Sequence, residues 1–114
     1  MSAHVIHFEV VGKDGPALQA FYSNVFGWKL DTNNPGGYGM LRPGEGEGIG
    51  GGIGAAQDGT PSRVTFYVHA EDPEATLSRV EAAGGRVLMP LTEVAPETTI
   101  ALFADPEGHV IGIM

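Results

Sequence analysis

One pattern in this chain recurs at half its length. A proline opens an apolar-periodic segment and a glycine closes it at Pro16 and Gly27, and the same arrangement stands 57 residues further on at Pro73 and Gly84, in a chain of 114 residues. A strand-like run precedes each. Solenoids need more and shorter repeats, so a single duplication of this size has to close on itself, as two modules sharing one fold in a pseudo-symmetric pair. The expected division falls near Gln57, in the Gln57-Asp58-Gly59-Thr60-Pro61 turn, with modules of about 1–57 and 58–114 inside one domain. A chain of this length can bury one core but not two independent ones.

The first run, Val5 to Val11, alternates Ile6, Phe8 and Val10 with His7 and Glu9, the period of a half-buried strand. Pro16 suits a first helical turn, and Leu18, Phe21, Tyr22, Val25 and Phe26 recur at helical spacing up to Gly27, so a helix is expected over about 16–26. Short strand-like pieces at Trp28–Leu30 and Tyr38–Leu41 follow, then the glycine-rich stretch Gly44–Gly54, a fainter third strand. In the second half Arg63–His69 alternates as cleanly as the first run. Asp72 is placed to cap a helix over about 73–83, and Gly84-Gly85 ends it. Strands at Arg86–Met89, Thr98–Ala104 and His109–Met114 complete the half, the last two joined by the hairpin-like Asp105-Pro106-Glu107-Gly108. The order β-α-β-β-β therefore stands twice. The stripe from Leu18 to Phe26 is expected to pack on the sheet, so that Phe21→Ala would cost ~3–5 kcal/mol if that ring is buried.

Charge and cysteine content narrow the function classes. Fourteen acids against six bases give a net charge of −8, which repels phosphate backbones and anionic lipid, so neither nucleic acid nor a membrane surface is an expected partner. With no cysteine there is no disulfide, thiolate nucleophile or thiolate metal ligand, which suits a reducing compartment and a cytoplasmic location. No segment has the basic start of a secretion signal or the apolar length of a membrane span.

Four stretches taken together carry a family resemblance: His7-Phe8-Glu9-Val10 with Asp14, Phe21-Tyr22-Ser23-Asn24-Val25-Phe26-Gly27-Trp28, Gly84-Gly85-Arg86-Val87, and Asp105-Pro106-Glu107-Gly108. In this order they resemble the vicinal oxygen chelate superfamily, the glyoxalase, bleomycin-resistance and ring-cleaving dioxygenase relatives. The resemblance implies an α+β fold in which two βαβββ modules form a cup-shaped, mostly antiparallel eight-stranded sheet with the helices outside. It also implies a ligand or metal cavity inside the cup and pairing of two chains into a homodimer.

Alternation along the strands agrees with a cup. With Ile6, Phe8 and Val10 turned to the helices, His7 and Glu9 face inward; with Val64, Phe66 and Val68 turned outward, Arg63, Thr65, Tyr67 and His69 face inward. His7 and Glu9 are the candidate catalytic pair, an imidazole and a carboxylate two residues apart on one face. Arg63, Thr65, Tyr67, His69 and Tyr38 are the candidate ligand-binding residues, Arg63 holding an anionic group or neutralising Glu9. The glycine-rich strand leaves room within the cup, enough for a flat ligand to approach the backbone.

Metal-dependent members of the superfamily take ligands from four strands, and the resemblance places only His7 at one of those positions. The counterpart in the second half lands on Arg63, Val64 or Thr65, the third position falls near Ile49–Ile53, and the last has Gly112. His4 lies on the opposite face from His7, His109 follows a solvated turn, and Glu45 and Glu47 read as loop charges. A catalytic divalent ion wants three or more protein ligands, so no cofactor is expected; the alternative is a divalent metal, Zn, Ni, Fe or Mn, recruited differently. There is no Gly-x-Ser-x-Gly, and the glycine run lacks the Lys-Ser/Thr of a phosphate loop. The first expectation is thus a metal-independent protein that binds a small organic ligand, like the bleomycin-resistance relatives. The alternative is a lyase or isomerase of glyoxalase type using His7 and Glu9, and a third possibility is an accessory subunit with a vestigial cup.

Overall fold

The computed structural model describes residues 2–42, 48–57 and 60–114. Two expectations fall outside them in part, the loop charges Glu45 and Glu47 and the Asp58-Gly59 turn. The chain is α+β, and the described residues form seven strands and two helices in the order β1 (Val5–Gly12), α1 (Gly15–Phe26), β2 (Gly39–Leu41), β3 (Gly50–Ala55), β4 (Arg63–Val68), α2 (Pro73–Ala82), β5 (Arg86–Ala95), β6 (Thr98–Ala104) and β7 (Val110–Ile113). Trp28–Leu30, expected as a strand, forms no ladder, so seven strands stand where eight were expected. Trp28 instead sets its ring against Phe8, Tyr22 and Phe26, and the following residue to pair is Asp31, in a lone antiparallel bridge to Met40. None of the described helices is long and apolar enough to cross a membrane.

Two compact units divide the chain, His7–Val64 and Met1–Ile6 with Thr65–Met114. In the first, β3 lies between β2 and β1, antiparallel to β2 and parallel to β1. In the second, β7 lies between β4 and β6, parallel to β4 and antiparallel to β6, with β5 beyond β6 at the edge. The edge strand carries Pro90 and three register shifts against β6, features that blunt an exposed edge.

Both helices start and stop where their punctuation says. Asp14 accepts a hydrogen bond from Ala17 N at 3.0 Å and Asp72 one from Ala75 N at 3.1 Å, each satisfying an orphan amide of the first turn. Gly27 takes the left-handed conformation, φ 71°, and returns its amide to Ser23 O at 2.8 Å.

The face of α1 differs from the hydropathy reading. Phe21 is 57% exposed and Val25 and Phe26 are exposed as well, while the covered side comprises Gly15, Leu18, Gln19, Tyr22 and Ser23. Backbone hydrogen bonding explains the rotation. Gln19 Nε2 donates to Ile53 O at 2.8 Å and to Gly37 O at 2.9 Å, and Gly15 lies so near β3 that a Cβ on it would come within 2.8 Å of Ala55 N. Leaving the part-buried Ile53 carbonyl without Gln19 would cost more than leaving a ring on the surface, where Phe21 still meets the edge of Tyr22. Phe21→Ala is accordingly expected to change the unfolding free energy of the dilute chain by less than about 1 kcal/mol; a loss of several kcal/mol in a denaturant titration would restore the hydropathy reading.

Strand β4 is inverted in the same sense. Val64 and Phe66 are exposed, whereas Thr65 and Tyr67 are 4% and 2% exposed. Thr65 Oγ1 donates to Val110 O, and the Tyr67 ring covers Gly112, its register partner on β7, where a Cβ would come within 2.3 Å of the ring.

Candidate functional site

Parallel pairing of β1 with β3 sets His7 opposite Gly50 and Glu9 opposite Gly52. Residues at i and i+2 of a strand share a face, so the imidazole and the carboxylate look out over a strip with no side chains on it. Tyr38 fills that strip. Its ring runs along β3 with the hydroxyl end over Gly52 and one ring edge near Gly54. A Cβ on Gly52 would fall 1.8 Å from Cζ and Oη, and one on Gly54 3.0 Å from Cδ1. On the other face Phe8 covers Gly51 in the same way, with its ring 2.2 Å from where a Cβ would stand. The sequence suggests that these glycines leave room on this face; in the structure the Tyr38 ring fills it, and Phe8 covers Gly51 on the opposite face.

Tyr38 Oη donates to Glu9 Oε2 at 2.9 Å, and Arg63 Nη2 donates to Glu9 Oε1 at 3.0 Å. The third contact is His7 Nε2 with Tyr38 Oη at 3.2 Å. Because the phenol proton is given to Glu9, His7 must be the donor in that contact, which assigns the Nε2–H tautomer by counting donors. Glu9 and Arg63 are 12% and 17% exposed, so their pair is only weakly screened. Arg63 Nε is buried without a hydrogen-bond partner among the described residues.

Burial lowers the pKa of His7 below that of a free imidazole, and the nearby Glu9 charge opposes that shift without cancelling it. A histidine whose folded pKa is depressed contributes its full stability above the unfolded value, about 6.5, and loses it as pH falls toward the folded value. Denaturant midpoints are therefore expected to fall as pH is lowered from above about 6.5 toward the depressed folded value, with a shallower fall in His7→Gln. Equal slopes in the two proteins would place the effect elsewhere.

The tyrosine is held by its own loop. Asn34 brackets the Tyr38 backbone, its Oδ1 accepting from Tyr38 N at 2.9 Å and its Nδ2 donating to Tyr38 O at 2.7 Å. Asp31 Oδ1 accepts from Asn33 N at 2.9 Å to shape the same turn, and Gln19 anchors Gly37 from below. Sequence reasoning placed Tyr38 only as a ligand contact and passed over Asn34 and Gln19. An Asn-rich turn ahead of an aromatic residue and a run of bare glycines was the available signal.

Of the residues expected from sequence, the structure brings together His7, Glu9, Tyr38 and Arg63. Thr65 and Tyr67 are buried in their own unit as described above, and His69 is exposed, its backbone amide donating to His4 O at 2.9 Å. An open apolar groove of about 660 Å³ lies beside the start of α1, lined by Val10, Leu18, Phe21 and Val64; it includes Arg63 but not His7, Glu9 or Tyr38.

Among the described residues, the donors brought together at this face do not make up a divalent-ion site. Among the described residues no three His, Cys, Asp or Glu side chains cluster as ligands, and both oxygens of Glu9 are engaged, one by a cation. Opposite His7 stands Gly50.

Comparison with known proteins agrees with this architecture. The profile of the glyoxalase-like domain family matches residues 8–114. The anthracycline biosynthesis protein DnrV of Streptomyces peucetius is 30% identical over 122 residues, which cover 93% of this chain and 44% of DnrV. CFP32 of Mycobacterium tuberculosis (strain CDC 1551 / Oshkosh) is 29% identical over 106 residues, covering 88% of this chain and 41% of CFP32. The chain thus spans about two fifths of the length of these relatives. Among solved structures, a glyoxalase/bleomycin resistance protein/dioxygenase superfamily member from Vibrio splendidus 12B01 has a TM-score of 0.63 at 20% identity, over 98% of this chain and 97% of that one. A variant of Streptomyces coelicolor methylmalonyl-CoA epimerase in complex with 2-nitronate-propionyl-CoA has a TM-score of 0.66 at 16% identity, over 99% and 94%. At such identities the two structures attest a shared fold, and the profile match carries the assignment: this chain belongs to the glyoxalase-like domain family, within the vicinal oxygen chelate superfamily.

Proposed function

We propose that this protein binds a small organic ligand on the face formed by His7, Glu9, Tyr38 and Arg63, without a metal ion. The observation that carries the reading is the state of Glu9, whose two carboxylate oxygens are bonded to Arg63 and to Tyr38. An acid neutralised in this way is a poor metal ligand and a fixed acceptor for a hydrogen-bonding ligand. Arg63 being committed to Glu9, a neutral ligand with a donor group suits the face better than a carboxylate does. The test is elemental analysis of protein equilibrated with zinc, nickel, iron and manganese, alongside a thermal-shift screen of small organic compounds. Metal at background, with stabilising compounds whose effect is lost in His7→Ala and Arg63→Ala, is the expected result. About one equivalent of metal per chain, lost in His7→Ala, would overturn it in favour of a glyoxalase-type lyase or isomerase.

The finer architecture belongs to the same proposal: modules of about 1–57 and 58–114 contributing to one cup of eight strands, two chains forming a homodimer, and a cytoplasmic location. Support for the modules comes from register, since each half pairs its first strand in parallel with its last and opposes a glycine to an inward residue, Gly52 to Glu9 and Gly112 to Tyr67. Support for the dimer comes from α1, a helix with no charged side chain and with Phe21, Val25 and Phe26 exposed on a chain of charge −8. Sedimentation equilibrium is expected to give a dimer; a monomer at high concentration would refute the pairing.

A further inference from the structure

We propose that the ligand of this face is a planar hydroxyaromatic compound, a phenol or fused-ring phenol, and that Tyr38 is its internal stand-in, leaving the strip when the ligand enters. The inference rests on reading the face as an organic-ligand site and names the class of compound it takes.

The shape of the strip is the first argument. Between Gly52 and Gly54 the backbone of β3 accepts one ring lying along it, so closely that a single Cβ at Gly52 would stand within 1.8 Å of the phenol carbon. A bare backbone surface on which a ring lies this closely favours flat molecules over branched ones. The second argument is the pairing of donor and acceptor at its end. Glu9 Oε2 accepts and His7 Nε2 donates, at 2.9 and 3.2 Å from the same oxygen. Only a group that gives one hydrogen bond and takes another satisfies both, which a hydroxyl does and a carboxylate beside Glu9 does not. The third concerns release. Tyr38 sits at the end of an exposed turn, residues 32–37, and its backbone is held by the side chain of Asn34 rather than by a ladder. The exposed turn can carry the ring off the strip at the cost of its packing on β3 and its bonds to Glu9 and His7, and an entering phenol remakes the contacts that Tyr38 gives up.

Competition between Tyr38 and the ligand sets the measurable consequence, because apparent affinity is reduced by the fraction of molecules with the strip open. The probe is p-cresol, the side chain of tyrosine as a free molecule, with toluene as the same ring lacking the hydroxyl. Calorimetric titration of Tyr38→Ala, with its fold checked by circular dichroism, is expected to show p-cresol binding at least about tenfold more tightly than to the natural chain. Toluene is expected to bind the variant at least about tenfold more weakly than p-cresol, since it cannot replace the hydrogen bonds that the Tyr38 hydroxyl makes with Glu9 Oε2 and His7 Nε2. Equal affinity of natural chain and variant for p-cresol, equal affinity of the variant for the two probes, or a folded variant that binds neither would each overturn the proposal. Should Tyr38→Ala fail to fold, Asn34→Ala keeps the ring and loosens its turn; it is expected to raise p-cresol affinity, and an unchanged affinity would overturn the proposal. If p-cresol fails while other compounds still stabilise the protein through His7 and Arg63, the hydroxyaromatic class falls and the binding-protein reading stands. If neither occurs, both fall.

Discussion

Gly52→Ala is expected to destabilise the protein by about 3 kcal/mol, the upper end of what overpacking costs, and to drive Tyr38 off the strip. The added methyl carbon would lie 1.8 Å from Cζ and Oη of that ring, a distance no rotamer change at Ala can relieve. Either β3 moves, breaking its register with β1 and β2, or the ring leaves and forfeits its bonds to Glu9 and His7. Gly36→Ala is the control, for nothing lies within 4 Å of a Cβ there, and its effect should stay within about 0.5 kcal/mol. Coupling tests the mechanism: in a double-mutant cycle Tyr38→Ala should cancel most of the Gly52→Ala penalty, because the two changes remove one clash between them. Simple additivity of the two losses would show that the glycine is needed for some other reason.

The second large effect belongs to the ion pair. Arg63→Met is expected to cost about 2–3 kcal/mol, below the full figure for a broken buried pair because it also removes the unpartnered Nε donor. What remains is a carboxylate 12% exposed that has lost its cation. Combining Arg63→Met with Glu9→Gln should return most of the loss, since the amide oxygen of Gln can still accept from Tyr38. Chemical denaturation of the four proteins at one pH gives the cycle, and a coupling near zero would mean that the 3.0 Å contact contributes nothing to folding.

These expectations show where reading the chain succeeded and where it could not. Both helices were legible to within a residue or two because their ends are written locally, in Asp14, Pro16 and Gly27 and again in Asp72, Pro73 and Gly84. The common face of His7 and Glu9 followed from the period of a strand. The orientation of α1 did not, because hydropathy ranks Phe21 and Val25 above Gly15 and Gln19, whereas the deciding groups are the carbonyls of Gly37 and Ile53 that only the folded chain brings beneath the helix. Likewise the Tyr38 ring over Gly52 depends on pairing between segments far apart in sequence, which alternation within each segment does not encode. Thr65 and Tyr67 were placed on one side of β4 correctly as a pair, yet burial of that side needed the carbonyl of Val110 and the bare Cα of Gly112.

Glycines lying under rings also constrain how such a chain can change over time. Every coding change at Gly51, Gly52 or Gly112 adds at least one carbon, and each would meet Phe8, Tyr38 or Tyr67 at 2.3 Å or less. No substitution at these three positions is therefore a small step, whatever its polarity. The rings are not locked in the same way, for each can shrink first and leave its glycine free to vary afterwards. The order of events is thereby fixed: aromatic before glycine is a passable route, glycine before aromatic passes through a chain that folds poorly. A library varying the six positions together should contain many folded members with a side chain on β3 or β7, almost all of them also carrying a reduced ring at Phe8, Tyr38 or Tyr67.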